Sequence, residues 1–162
     1  IQKLGKELDI LLETPVEELR NAPKMPESEF WQMITKTKRK AKGDEAWQAR
    51  ELIFLLRDRT PVEIMGFEKT LWIMSNRCAT SDLWAAAYII FGGCSNDAFV
   101  DFQYWLVGQG KKAMNDAIKN PETLIPHIQN KKQFVNYTNI QIILILIRHE
   151  DIATISLIPS DV

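Results

Sequence analysis

The chain has 162 residues, of which 46% are hydrophobic and 25% charged, the balance of a soluble globular domain and too apolar for a disordered chain. A chain of this length fits one domain with a substantial core. Twenty basic and 21 acidic side chains leave a formal net charge of -1, so no overall field attracts nucleic acid or an anionic membrane. Binding of either would need a local patch.

Cellular location is inferred from the cysteines and from the start of the chain. Two cysteines are too few for a disulfide framework, and the first residues lack the basic, apolar, small-residue order of a secretory leader. The longest apolar run, residues 142–147, is far shorter than the ~20 residues that a membrane-spanning helix needs. We therefore expect a cytoplasmic protein with reduced thiols and no membrane association.

Residues 1–27 are predicted to be an extension or linker that contains one short helix. The helix begins at Thr14-Pro15-Val16-Glu17, where the threonine caps and the proline occupies the first helical position. Pro15, Pro23 and Pro26 are typical of a linker.

Three further helices follow in residues 28–80. Ser28 is predicted to begin the first, and Gly43-Asp44 separates it from the second. The third begins at Thr60-Pro61-Val62-Glu63, which is a capping box because the threonine and glutamate side chains each accept the other's backbone N–H. Apolar residues at helical spacing follow this box.

The next two helices are predicted to form the centre of the core. Asp82 caps the first, which is apolar around most of its circumference, and that composition predicts a central, buried helix. Gly92 or Gly93 ends it with a positive φ, and Ser95 caps the second. We predict that Trp84 and Phe102 meet where these helices pack.

The tail over residues 138–158 fits two structures. Its runs 140–147 and 152–158 are rich in β-branched residues and suit a hairpin that turns at 149–151. The run 140–147 also suits a helix, which we favour because an isolated hairpin would be unusual on a helical body. The predicted fold is an all-α, compact multi-helix bundle, with a core domain over 28–129 and a tail over 130–162 packed on it.

A recognisable order of residues spans the two central helices. Residues 82–90 read Asp-Leu-Trp-Ala-Ala-Ala-Tyr-Ile-Ile, residues 92–97 read Gly-Gly-Cys-Ser-Asn-Asp, and Phe99, Asp101, Phe102, Trp105 and Leu106 follow. This order resembles that of the bacterial domain of unknown function 4240, over about residues 28–124. The resemblance implies a domain type and no activity. Asn96 stands where the family pattern implies an acidic residue and Gln103 where it implies a basic one, so a charge-dependent activity of that pair would be lost here.

Cys94 is the candidate nucleophile, because the positive end of a helix dipole favours a thiolate at a helix N-terminus. Such catalysis also needs a base, and the only histidines are His127 and His149, in the final third of the chain. A packed thiol beside the Gly92-Gly93 turn is the favoured interpretation.

Three carboxylates near this junction are further candidates. Asp97 and Asp101 share a helical face, and with Asp82 they suit a metal or an acid–base pair. The favoured interpretation is structural: Asp82 caps its helix, Asp97 complements the helix dipole in the first turn, and Asp101 lies on a solvated face. No zinc-ligand spacing is present, and we expect no metal and no cofactor. The predicted binding residues at this junction are Asp82, Ser95, Asn96, Asp97, Asp101 and Gln103.

One basic cluster raises the alternative of nucleic-acid binding. Its residues spread around the predicted helix and sit in its last turns, where they complement the helix dipole. That dispersion gives no continuous track for phosphates, so nucleic-acid contact is not favoured. The cluster consists of Lys36, Lys38, Arg39, Lys40 and Lys42.

These observations favour a protein-interaction or regulatory domain, because an aromatic-rich helical domain without a catalytic constellation is more often a binding module than an enzyme. The alternatives are an enzyme that uses Cys94 or the carboxylates of Asp82, Asp97 and Asp101, and a nucleic-acid accessory domain. A toxin gene beside this one would favour an immunity role.

Overall fold

The computed structural model describes residues 16–128, and this part of the chain is built from helices without a strand. The elements are α1 (Val16–Arg20), α2 (Glu27–Ala41), α3 (Glu45–Arg57), α4 (Pro61–Arg77), α5 (Ser81–Phe91), α6 (Asn96–Gly108), α7 (Lys111–Lys119) and a 3-10 helix (Pro121–His127). The prediction of an all-α bundle is confirmed. The predicted tail lies outside the described residues.

Side-chain caps begin α4 and α6 as predicted. Thr60 Oγ1 accepts a hydrogen bond from the Glu63 amide at 3.3 Å, and Glu63 Oε2 accepts one from the Thr60 amide at 2.9 Å. Ser95 Oγ accepts one from the Ala98 amide at 3.2 Å. Each cap satisfies amides that have no partner within the helix.

Two predicted helix starts are wrong. Thr80 caps α5, since its Oγ1 accepts a hydrogen bond from the Leu83 amide at 3.2 Å, and Asp82 lies in the first turn instead. α2 begins at Glu27, after Pro26 and without a side-chain cap, rather than at Ser28.

α6 carries the densest group of buried aromatic rings. The ring centroid of Phe102 lies 6.1 Å from Phe99, 6.1 Å from Phe91 and 5.6 Å from Trp105. α4 packs against α6, while α2 and α3 pair as a hairpin. The core therefore forms around α6, as predicted for this helix.

α5 is not the buried central helix that its composition predicts. Only Leu83 and Ala87 are buried on it. Trp84 is half-buried and its ring lies 4.6 Å from Phe99, which in turn stacks on Phe102. Phe99 thus links the two residues that were predicted to meet directly.

Side chains from the α2–α3 hairpin cap the C-terminal end of α6. Lys38 Nζ donates to the Gln109 carbonyl at 2.7 Å, and Gln48 Nε2 donates to the Gly108 carbonyl at 3.0 Å. The indole of Trp105 donates to Glu45 Oε1 at 2.8 Å. The last carbonyls of a helix lack partners within it, so these bonds join the hairpin to α6.

The segment before α2 is held against α4 at Gly66. The Met25 amide donates to the Gly66 carbonyl at 2.9 Å, and Thr70 Oγ1 donates to the Met25 carbonyl at 2.7 Å. A Cβ atom on Gly66 would lie 2.6 Å from the Pro23 carbonyl oxygen. Glycine is therefore required by the close approach of the two backbones.

Candidate functional site

The junction between α5 and α6 is a tight turn over residues 92–95. Gly92 and Gly93 adopt φ angles of 69° and 136°, a region that side chains disfavour. The Gly93 amide donates to the Tyr88 carbonyl at 2.9 Å, which ends α5 as predicted. Cys94 and the Ser95 cap then lead into α6.

The environment of Cys94 is that of a packed thiol. The side chain is partly buried, and Sγ lies 3.5 Å from the carbonyl oxygen of Ser95. Burial raises the pKa of the Cys94 thiol, opposite to what a nucleophile needs. Among the candidate bases, burial and the charge of Lys38 lower the pKa of His127, and His149 lies outside the described residues.

Slow alkylation of both thiols is expected in the native protein at neutral pH. Burial raises the pKa of Cys94, and it raises that of Cys78 to about 12, so little thiolate is present at pH 7. The labelling rate should increase as the pH rises above the free-thiol pKa of about 8.5. Mass spectrometry of iodoacetamide adducts measures this, with the denaturant-unfolded protein as the control. Rapid labelling of Cys94 at pH 7 would contradict a packed thiol.

The carboxylates of α6 interact, whereas Asp82 lies on another helix. Asp97 and Asp101 are four residues apart on α6, so they share one face as predicted. Burial, and then the charge of Asp97, raise the pKa of Asp101. Asp82 is exposed in the first turn of α5. Within residues 16–128, no group of three or more His, Cys, Asp or Glu side chains is arranged to hold a metal ion.

The other predicted binding residues differ in exposure. Asn96 is exposed, and the Ser95 hydroxyl serves as the cap of α6. Gln103 is only 6% exposed, on the side of α6 that faces the core. A partner that docks at the surface therefore reaches Asn96 and not Gln103.

The basic cluster does not form one free patch. Lys38 is bound to Gln109, and burial lowers its pKa while the charge of Glu45 opposes that effect. Lys40 Nζ pairs with Glu51 at 2.6 Å. Lys36, Arg39 and Lys42 are exposed, so three of the five side chains face solvent without these contacts.

The surface that sequence reasoning missed is the outer face of α5. Tyr88 and Ile89 are 56% and 80% exposed, and Ala85 is exposed beside them. Together with Asp82, at the start of the helix, these residues follow the 3.6-residue period along one side. We call Asp82, Ala85, Tyr88 and Ile89 the α5 face. The sequence pattern alone does not distinguish the α5 face from the other sides of α5, because the helix is apolar on nearly every side.

A family model described as "Protein of unknown function (DUF4240)" matches residues 25–146. No curated protein and no solved structure matches the chain. Between residues 16 and 128, no helix is both long enough and apolar enough to cross a membrane.

Proposed function

The chain belongs to the DUF4240 family, and on that premise we propose that it is a protein-interaction domain whose partner binds the α5 face. The family description names no activity, so the proposal rests on the surface of this chain. The single observation that carries it is the exposure of Tyr88 and Ile89. An outward helix face is ordinarily polar, and contiguous apolar residues on a surface are characteristic of binding sites.

The chemistry of the α5 face indicates the kind of partner. Tyrosine is enriched at binding hot spots because its ring buries a large apolar area while its hydroxyl retains a polar contact. Ile89 adds a branched apolar side chain one residue along the helix. Asp82 places a carboxylate at one end of the face. A complementary partner presents an apolar surface with a basic side chain at that end.

A photocrosslinking experiment tests the proposal in the organism that carries the gene. Ile89 is replaced by the photoreactive residue benzoylphenylalanine, and Gln32, which is exposed on α2, is replaced in a matched control. We expect a discrete adduct of defined mass from position 89 and none from position 32. Equal labelling from both positions, or no discrete adduct from either, would refute the α5 face as a docking site.

A charge variant then separates binding from folding. Ile89→Lys should change the free energy of unfolding by no more than about 0.5 kcal/mol, because the side chain is exposed. The same variant should weaken partner binding about 30-fold or more, the loss typical of a disrupted hot spot. Crosslinking measures this loss when the photoreactive residue is placed at position 88 of the Ile89→Lys protein. An undiminished yield of the adduct would contradict the expected loss of binding.

A further inference from the structure

A second exposed surface lies on α3, where a pattern repeats after seven residues. Trp47 and Phe54 are 39% and 50% exposed. Arg50 and Arg57 are also exposed, each three residues after one of the aromatic rings. Residues at this spacing lie along one side of an α-helix. We call these four residues the α3 stripe.

The side chains of the α3 stripe are available for binding. The Arg57 guanidinium lies 5.4 Å from the centre of the Phe54 ring, and its Nε is 3.4 Å from Asp58 Oδ1. Exposed ion pairs and cation–π contacts of this kind are weak, so a partner can replace them. Within residues 16–128, the Arg50 side chain makes no hydrogen bond or ion pair. Tryptophan and arginine are two of the residues most enriched at binding hot spots.

We propose that the α3 stripe binds an acidic amphipathic helix of a partner protein. Two helices pair along a seam when contact residues recur every seven positions. Trp47 and Phe54 supply the apolar contacts of such a seam, and Arg50 and Arg57 supply two positive charges about 10 Å apart along the axis. A partner helix with apolar residues and carboxylates at the same seven-residue spacing matches both sets of contacts.

The surrounding charges disfavour a nucleic acid. Affinity for a phosphate backbone grows with the number of phosphates that are neutralised. Asp58 forms an ion pair with Arg57, and Glu51 forms one with Lys40. These carboxylates would repel a continuous line of phosphates, whereas a helix can place its carboxylates opposite the two arginines alone.

This surface is separate from the α5 face and has the opposite charge. The α5 face carries Asp82, whereas the α3 stripe carries Arg50 and Arg57. One partner surface cannot complement both, so the two proposals fail or succeed independently.

The test uses the full chain and two synthetic helices of about three heptads. Both peptides carry leucine at the seam positions, and one has glutamate and the other lysine at the flanking positions. Fluorescence anisotropy of the labelled peptides measures binding. We expect the glutamate peptide to bind at least about tenfold more tightly than the lysine peptide, with an affinity that falls as salt is added.

Charge reversal provides the decisive comparison. Arg50→Glu with Arg57→Glu should abolish binding of the glutamate peptide and create binding of the lysine peptide, a gain that an unfolded variant would not show. Lys111→Glu with Lys112→Glu, on α7, makes the same change in net charge and should leave the peptide preference unaltered.

Three results would overturn the proposal. The first is equal affinity for the two peptides. The second is tighter binding of a single-stranded oligothymidylate that the same arginine variant abolishes, which would make the stripe a nucleic-acid surface. The third is self-association in sedimentation without peptide, abolished by the arginine variant, which would make a second copy of this chain the occupant.

Discussion

Replacing Phe102 with alanine should lower the free energy of unfolding by about 3 to 5 kcal/mol. The side chain is fully buried, and its ring contacts Phe91, Phe99 and Trp105. The substitution removes a large apolar surface and leaves a cavity that α6, fixed at both ends by caps, cannot fill by moving. Urea unfolding followed by circular dichroism measures the loss.

Three other variants define the outcome for this position. Trp84→Ala should lower the free energy of unfolding by less than Phe102→Ala does, because Trp84 is half-buried. Tyr88→Ala, on the exposed face, should change stability by no more than about 0.5 kcal/mol. If Phe102→Ala does not fold, Phe102→Leu should still show a smaller loss of about 1 to 2 kcal/mol. A loss below about 1 kcal/mol for Phe102→Ala would mean that the core is not centred on α6.

Gly66→Ala should destabilise the protein by about 1 to 3 kcal/mol, although alanine in place of glycine ordinarily stabilises a helix by about 1 kcal/mol. The new Cβ would meet the Pro23 carbonyl oxygen at 2.6 Å and the Met25 amide nitrogen at 3.3 Å. Both are backbone atoms, so the segment before α2 must move away from α4. That movement also breaks the hydrogen bond from the Met25 amide to the Gly66 carbonyl.

Thr70→Val is the matched test of this contact, because it keeps the side-chain shape and removes the hydroxyl that donates to the Met25 carbonyl. The two substitutions disrupt the same contact, so the double variant should lose less stability than the sum of the single variants. A Gly66→Ala protein more stable than the parent in urea would show that the two backbones are not in contact.

Local sequence signals predicted those parts of the fold that depend on neighbouring residues. The capping box at Thr60 and the cap at Ser95 require only side-chain and backbone groups that are three residues apart in the chain. The glycine turn after α5 depends in the same way on a positive φ at Gly92. Asp82 was a reasonable cap by residue type, but Thr80 precedes it and takes the role.

The candidate site depended on long-range packing, and there the sequence was less informative. A helix that is apolar on most sides offers no periodic difference between the face that packs and the face that does not. The exposure of Tyr88 and Ile89 therefore required the structure. The role of Lys38 also could not be read locally, since its partner Gln109 lies 71 positions away.

The α2–α3 hairpin and the C-terminal end of α6 open together, because side chains of the hairpin cap that end. If α2 and α3 swing away, the Gly108 and Gln109 carbonyls lose the Gln48 and Lys38 donors and the last turn of α6 loses its support. Detachment of the hairpin and fraying of α6 are therefore one cooperative event rather than two local fluctuations. A partner that binds the α3 stripe would therefore slow hydrogen exchange in the last turn of α6, which is a different helix.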